Sequence, residues 1–348
     1  MSSRVYTLKL PQRGSRGARR EEELKRFARS LEELSWRVGF KLSSRGWCYQ
    51  LEGFNLIDKS QFDLVEEVIN ECRKKGYLPV DFTAEEEARS FSCVEYPASE
   101  SPAEYMKGYL EAALTCENWY TPDWWEGEEY YLQMVVEKID LKTLFEPVCR
   151  LYHVPIATSK GWSSILQRAE YARRFKEAER RGLKCVLLYC GDFDPDGLRI
   201  SEFLRKNLEE LRSIRWSDGE GGYDPSSLIV DRFGLNYDFI VANNLTWIDN
   251  LVTGSGRDLA DPSHPNHRLP YVQEYIKRYG ARKVEANAIV VVPDRARELC
   301  RRAIERYLGG DALERFERKR EAVREAFRKV REATGLEEAV RRVLELVR

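Results

Sequence analysis

Cys185-Val186-Leu187-Leu188-Tyr189-Cys190-Gly191-Asp192-Phe193-Asp194-Pro195-Asp196-Gly197 sets the architecture of this chain. Its first six residues carry no charge and no polar alternation, the pattern of a strand buried on both faces in a parallel sheet. Three carboxylates then alternate with Phe193 and Pro195 between two glycines. Leu198 opens an amphipathic helix with Ile200, Phe203, Leu204 and Leu208 on one stripe. Ligands of open α/β sheets gather at the carboxyl ends of strands, where these carboxylates fall. Clustered oxygen ligands without Cys or His suit Mg²⁺. The same residues also make an ordinary Asp/Gly/Pro turn between strand and helix.

Alternating strands and helices extend on either side: Leu132–Glu137, Leu141–Leu151, Val154–Ala157, Ser163–Arg181, Cys185–Cys190 and Leu198–Leu211. Glu137 ends one strand and Asp192 and Asp194 follow another, so the three carboxylates could converge on one metal. Residues 1–19 read as a flexible basic arm. A helix spans Glu21–Val38, with Leu24, Phe27, Leu31 and Leu34 on one face, and a short helix follows a cap at Ser43 or Ser44. Another runs from Ser60 to Lys75, with Gly76 just past its end. Tyr77–Asp81 and Ala88–Glu95 read as extended pieces, completing the order of a winged-helix DNA-binding domain over 20–117. Ser101-Pro102-Ala103-Glu104 is a capping box opening a helix to about Cys116. The aromatic and acidic segment Asn118–Glu129 reads as the joint between domains, and 118–310 as the α/β domain. The tail, 311–348, is Arg/Glu-rich with i,i+4 pairs, the mark of a solvated helix.

Composition narrows the class. The chain has 348 residues, 43% hydrophobic and 33% charged, which is ordinary for a globular protein of about two domains. No apolar run approaches the roughly 20 residues of a membrane span. No apolar h-region opens the chain, so a cytoplasmic protein is expected. None of the eight cysteines forms a CxxC pair, which reads as buried thiols in a reducing compartment. His264 and His267 sit in a Pro/Asn-rich loop with no Cys nearby, favouring a loop over a metal site. The net charge is −1, with basic blocks at Arg13–Arg26 and Arg73–Lys75 set against acidic ones at Glu85–Glu87 and Asp123–Glu129. Such segregation permits a basic groove for nucleic acid without requiring one.

Val136-Glu137-Lys138, His153-Val154-Pro155-Ile156, Gly161-Trp162-Ser163-Ser164 and Gly191–Gly197 together resemble a TOPRIM domain. They are most similar to that of the A subunit of type IIB topoisomerases (topoisomerase VI) and of the related meiotic double-strand-break proteins. Arg45-Gly46-Trp47-Cys48-Tyr49 resembles the Arg-x-x-aromatic-Tyr signature of that family's winged-helix (CAP-like) domain, with Tyr49 in register with the DNA-attacking tyrosine. Gly46 and Cys48 depart from it, since relatives often carry an acidic residue and an aromatic there. Val284–Ile289 and Pro293 match a late family motif, and Leu228–Phe233 and Thr253–Leu269 resemble family insertions. The resemblance covers about residues 24–310. It implies an α/β multi-domain protein, a winged helix followed by a Rossmann-like TOPRIM domain with a mainly parallel sheet.

The resemblance further implies cleavage of double-stranded DNA by transesterification as a homodimer, with tyrosine and metal supplied by different protomers. Tyr49 would attack a backbone phosphate and Arg45 would stabilise the phosphorane. Asp192 and Asp194 would hold Mg²⁺, and Glu137 would ligate it or serve as acid/base. Asp196 occupies a variable family position. A nucleoid-associated location is implied, and the family's ATPase B subunit is a further expected partner, although no ATP motif is present in the chain. Two other readings stay open: a Mg²⁺-dependent TOPRIM nuclease in which Tyr49 only packs, and a non-catalytic DNA-binding protein.

Overall fold

The computed structural model describes residues 8–12, 14–38, 42, 44–83, 97, 99–159, 164–252 and 256–346, without the side chains of 37, 38, 45, 49 and 53. Helix α1 (Gly17–Val38) buries Leu24, Phe27, Ala28, Leu31 and Leu34, the three-and-four spacing of one apolar stripe. It packs with α2 (Ser44–Gly53) and α3 (Phe62–Lys74) around Trp47, Cys48, Phe62, Val65 and Ile69. A turn of 3₁₀-helix leads into α3, and Asp58 and Gln61 cap each other's backbone there. Tyr77–Asp81, expected as an extended piece, forms turns instead. The Val80 amide bonds the carbonyl of Arg215, and the Val80 side chain enters the apolar cluster under the sheet. Ala88–Glu95 lies outside the described residues. Among those described, this N-terminal part is helical without strands. Helix α4 (Pro102–Ala113) starts at the expected capping box, with Ser101 and Glu104 bonding each other's backbone.

Strand β1 (Tyr130–Val136) leads through α5 (Ile139–Leu151) to the short β2 (Ile156–Thr158). From there α6 (Ile165–Arg180) carries the chain to β3 (Lys184–Cys190). After the acidic turn, α7 (Pro195–Leu198) and α8 (Ile200–Glu209) lead to β4 (Ile229–Gly234). All pairings are parallel, in the order β2-β1-β3-β4. The chain leaves β1 towards β2 on one side, then returns past it to β3 on the other. The sheet therefore has a topological switch point between β1 and β3, with Val136 opposite Cys190 at its carboxyl end. Leu228–Phe233, expected as part of an insertion, falls largely in the fourth strand. It pairs β3 only, and Asp231 and Arg232 are tolerated because an edge strand with partly exposed residues need not be apolar throughout.

Side chains of β1 and β3 alternate between two cores, as the period of a strand requires. Leu132, Met134, Val136, Val186, Leu188 and Cys190 face α5, α10 (Pro270–Tyr279, after the short α9, Tyr237–Ala242) and α11 (Pro293–Leu308). Tyr131, Val135, Cys185, Leu187 and Tyr189 face α6 and α8. This is a three-layer α/β arrangement.

The tail forms α12 (Ala312–Thr334) and α13 (Leu336–Leu346). Its outer face carries the expected pairs, such as Arg328–Glu332 at 2.8 Å. Its inner face is docked rather than solvated. Phe316 packs on Trp124 at 4.5 Å between ring centroids, Arg315 pairs with Glu128 at 2.7 Å, and the Lys319 ammonium bonds the carbonyls of Asp123, Trp124 and Glu126. The aromatic joint thus packs the α/β layers against the tail: Trp124 also stacks on His153, and Trp125 meets Tyr131. The N-terminal helices are held elsewhere. Arg215 bonds the carbonyls of Gly76 (3.0 Å) and Tyr77 (3.3 Å) and pairs with Glu32, while Lys74 meets Glu210 at 3.0 Å. Among the described residues no helix is long and apolar enough to cross a membrane.

Candidate functional site

At the switch point the backbone ladder runs on by one bond, Glu137 N–H to Cys190 O (3.0 Å), and then the strands part. That last bond sets Glu137 beside the turn after β3. Glu137 Oε2 accepts from the Asp192 amide at 2.7 Å and from the Tyr189 hydroxyl at 3.4 Å. Asp192 Oδ1 accepts from the Ala286 amide at 2.6 Å, which ties the turn to the segment before α11. The Lys138 ammonium bridges the two carboxylates, 3.0 Å from Glu137 Oε1 and 3.3 Å from Asp192 Oδ2. Two residues 55 apart in sequence thus form one charged unit because β1 and β3 are neighbours in the sheet.

A cleft of about 1030 Å³ opens over this unit, lined by Glu137, Lys138, Asp192, Asp194, Tyr271 and Lys283 among others. Asp194 caps α7, its Oδ1 accepting from the Gly197 amide at 2.6 Å. Asp196 accepts from the Tyr271 hydroxyl at 2.8 Å, and Arg199 lies over the Tyr271 ring. The glycines follow from close approach. A Cβ on Gly191 would stand 2.6 Å from Glu137 Oε2 and 2.5 Å from the Tyr189 hydroxyl, and one on Gly197 would collide with the carbonyl of Asp192. Arg232, at the end of β4, holds the turn from beneath: Nη2 donates to Asp192 O (2.9 Å), Nε to Gly197 O (2.8 Å) and Nη1 to Leu235 O (2.7 Å).

Burial works against both carboxylates of the unit, but they respond differently. For Glu137, the Asp192 amide and the Lys138 ammonium outweigh burial and hold it below the usual carboxylate range. For Asp192, burial and then the charge of Glu137 dominate, and it is pushed up to about 6. The raised value of Asp192 thus reflects first its burial and then the negative charge beside it. Partial burial opposes the charge of Lys138, yet its two carboxylates hold it above the ordinary lysine value. Burial also raises Asp194, against the Gly197 amide.

Of the residues expected from the sequence, the structure brings Glu137, Asp192 and Asp194 to one cleft. Tyr49 and Arg45 belong to α2; their side chains lie outside the described residues, as do Gly161, Trp162 and Ser163. None of the described residues of α1, α2 and α3 lines the cleft. Both histidines of the 264–267 loop serve local bonds, His264 Nδ1 accepting from the Asn266 amide and His267 bonding Leu259 O and Gln273. The chain matches no family model, no curated protein and no solved structure.

The donor set is chemically suited to a hard divalent cation. It is all carboxylate oxygen, and an ammonium already stands between two of the donors. No cage of three ligating groups exists among the described residues, but Mg²⁺ usually takes one or two protein carboxylates and keeps several waters. Sequence reasoning missed Lys138, Lys283, Tyr271 and Arg232. Lys138 sits next to Glu137 at a strand end, a position that by itself does not say whether it faces the site. Tyr271 and Lys283 reach the cleft from segments with no pattern marking them.

Proposed function

We propose that this chain is a Mg²⁺-dependent, TOPRIM-type DNA-cleaving protein resembling the A subunit of type IIB topoisomerases. The single observation that carries the reading is the Glu137–Asp192 pair at the switch point of a parallel sheet, bridged by one cation and followed by the Asp192–Gly197 turn. Glu137 and Asp192, with Asp194 beside them, would hold the metal, which when bound supplies positive charge to the phosphate and its leaving oxygen. The N-terminal helices would form the winged-helix domain and carry the nucleophile. Tyr49 Oη attacks phosphorus, a Tyr–O–P bond forms, one P–O ester bond breaks, and the leaving oxygen takes a proton to become a free hydroxyl. Arg45 offsets the phosphorane charge, and Glu137, where it does not ligate, gives or takes the proton. The resemblance implies tyrosine and carboxylates from two copies, hence a homodimer on double-stranded DNA, and what supports it is that no described residue of α1–α3 lines the cleft. An ATPase subunit would serve strand passage.

One rival is hydrolysis by the carboxylate cleft alone, which no described residue of α1–α3 lines. Supercoiled plasmid with Mg²⁺ decides, run with and without protease before the gel. Protein-linked breaks lost in both Tyr49→Phe and Asp192→Ala are expected. Unlinked breaks that survive Tyr49→Phe make the protein a nuclease, and intact plasmid at every protein concentration removes cleavage by the chain alone.

A further inference from the structure

We propose that Lys138 is the resident cation of the metal position: it holds Glu137 and Asp192 together in the metal-free chain and is displaced when a divalent ion binds. The inference rests on the metal reading above and adds the residue that sets the affinity. The ammonium lies 3.0 Å from Glu137 Oε1 and 3.3 Å from Asp192 Oδ2, between the two oxygens a small hard cation would share. Glu137 Oε2 and Asp192 Oδ1 are engaged by backbone amides, so the oxygens facing Lys138 are those left for an ion. A divalent ion cannot take them with the ammonium in place, since the two cations would repel at contact distance. Lys138 can leave. Its side chain is about one-third exposed on the cleft wall, and its extended backbone precedes α5 rather than lying within it.

The arrangement has two consequences. Without metal, Lys138 relieves the repulsion between two partly buried carboxylates. With metal, the same contact becomes competition, and affinity is lower than the carboxylates alone would give.

Calorimetric titration with Mn²⁺, paired with thermal melts of the full chain, tests this on wild type, Lys138→Met, Lys138→Gln and Asp192→Asn. Both lysine variants should bind Mn²⁺ about tenfold more tightly than wild type. They should melt lower without the ion and recover at saturating Mn²⁺, a recovery that lost packing would not produce. Equal or weaker binding in both overturns the inference. If wild-type binding is lost in Asp192→Asn while neither lysine variant binds more tightly, only the role of Lys138 falls. If binding persists unchanged in Asp192→Asn, or wild type and variants all fail to bind, the metal reading falls with it.

Discussion

Cys72 and Cys185 carry ordinary thiols in unusual surroundings. Cys72 is packed inside the N-terminal helical cluster and Cys185 under the sheet, and burial pushes each from 9.0 up to about 12. A thiol raised this way keeps its proton in the folded chain at pH values where the unfolded chain has lost it. The folded state therefore binds more protons between about pH 9 and 12, and these groups contribute stability below that window that is lost as pH rises through it. Iodoacetamide at pH 8 should label half-buried Cys116 and leave Cys72 and Cys185 unmodified until denaturant is added, as read by peptide mass spectrometry. Native labelling of either at the rate of Cys116 would contradict the packing. These positions were legible in the sequence, because an apolar neighbourhood is all that burial of a thiol needs. Lys138 was not. A lysine beside a glutamate at a strand end can face either solvent or site, and only the neighbouring strand decides.

At the scale of elements, β3 and its turn were the most readable part of the chain. An uncharged run, a glycine where Glu137 and Tyr189 crowd the backbone, and an Asp-Pro cap leave one local solution. β4 was harder, because Asp231 and Arg232 interrupt its apolar run. Their partners come from far along the chain: Asp231 takes Arg306 and the Tyr307 hydroxyl, while Arg232 takes the turn. Arg232 is the clamp of that element. With several carbonyls depending on one half-buried guanidinium, Arg232→Met should cost about 2 kcal/mol, since it leaves acceptors without a donor. The loss should be local at first, with faster amide hydrogen exchange at 192–198 while the amides of β1 and β3 stay protected. Uniform acceleration across the sheet would show that Arg232 supports the whole layer instead.

Across the whole molecule, Arg215 gathers several of the bonds that join the N-terminal helices to the sheet. Arg215 reaches the carbonyls of Gly76 and Tyr77 and the carboxylate of Glu32, and its own carbonyl receives the Val80 amide. Its side chain is partly exposed, so solvent screens the ion pair, and Arg215→Met should cost only about 1 kcal/mol. The larger expected effect is on cooperativity: calorimetric unfolding should broaden or split as helices and sheet melt apart, whereas one unchanged sharp transition would mean the junction holds without it. None of this junction was visible in the sequence, where Tyr77–Asp81 reads as an extended piece. The Lys319 ammonium has a similar consequence in time. The carbonyls it gathers belong to residues some 195 positions earlier, so the lead into β1 leaves the ribosome long before its fastener exists. At roughly 5–20 residues per second, that interval is on the order of 10–40 s of synthesis. Throughout it Trp124 lacks the Phe316 face it finally packs against. The nascent chain thus carries this face of Trp124 uncovered until α12 is made.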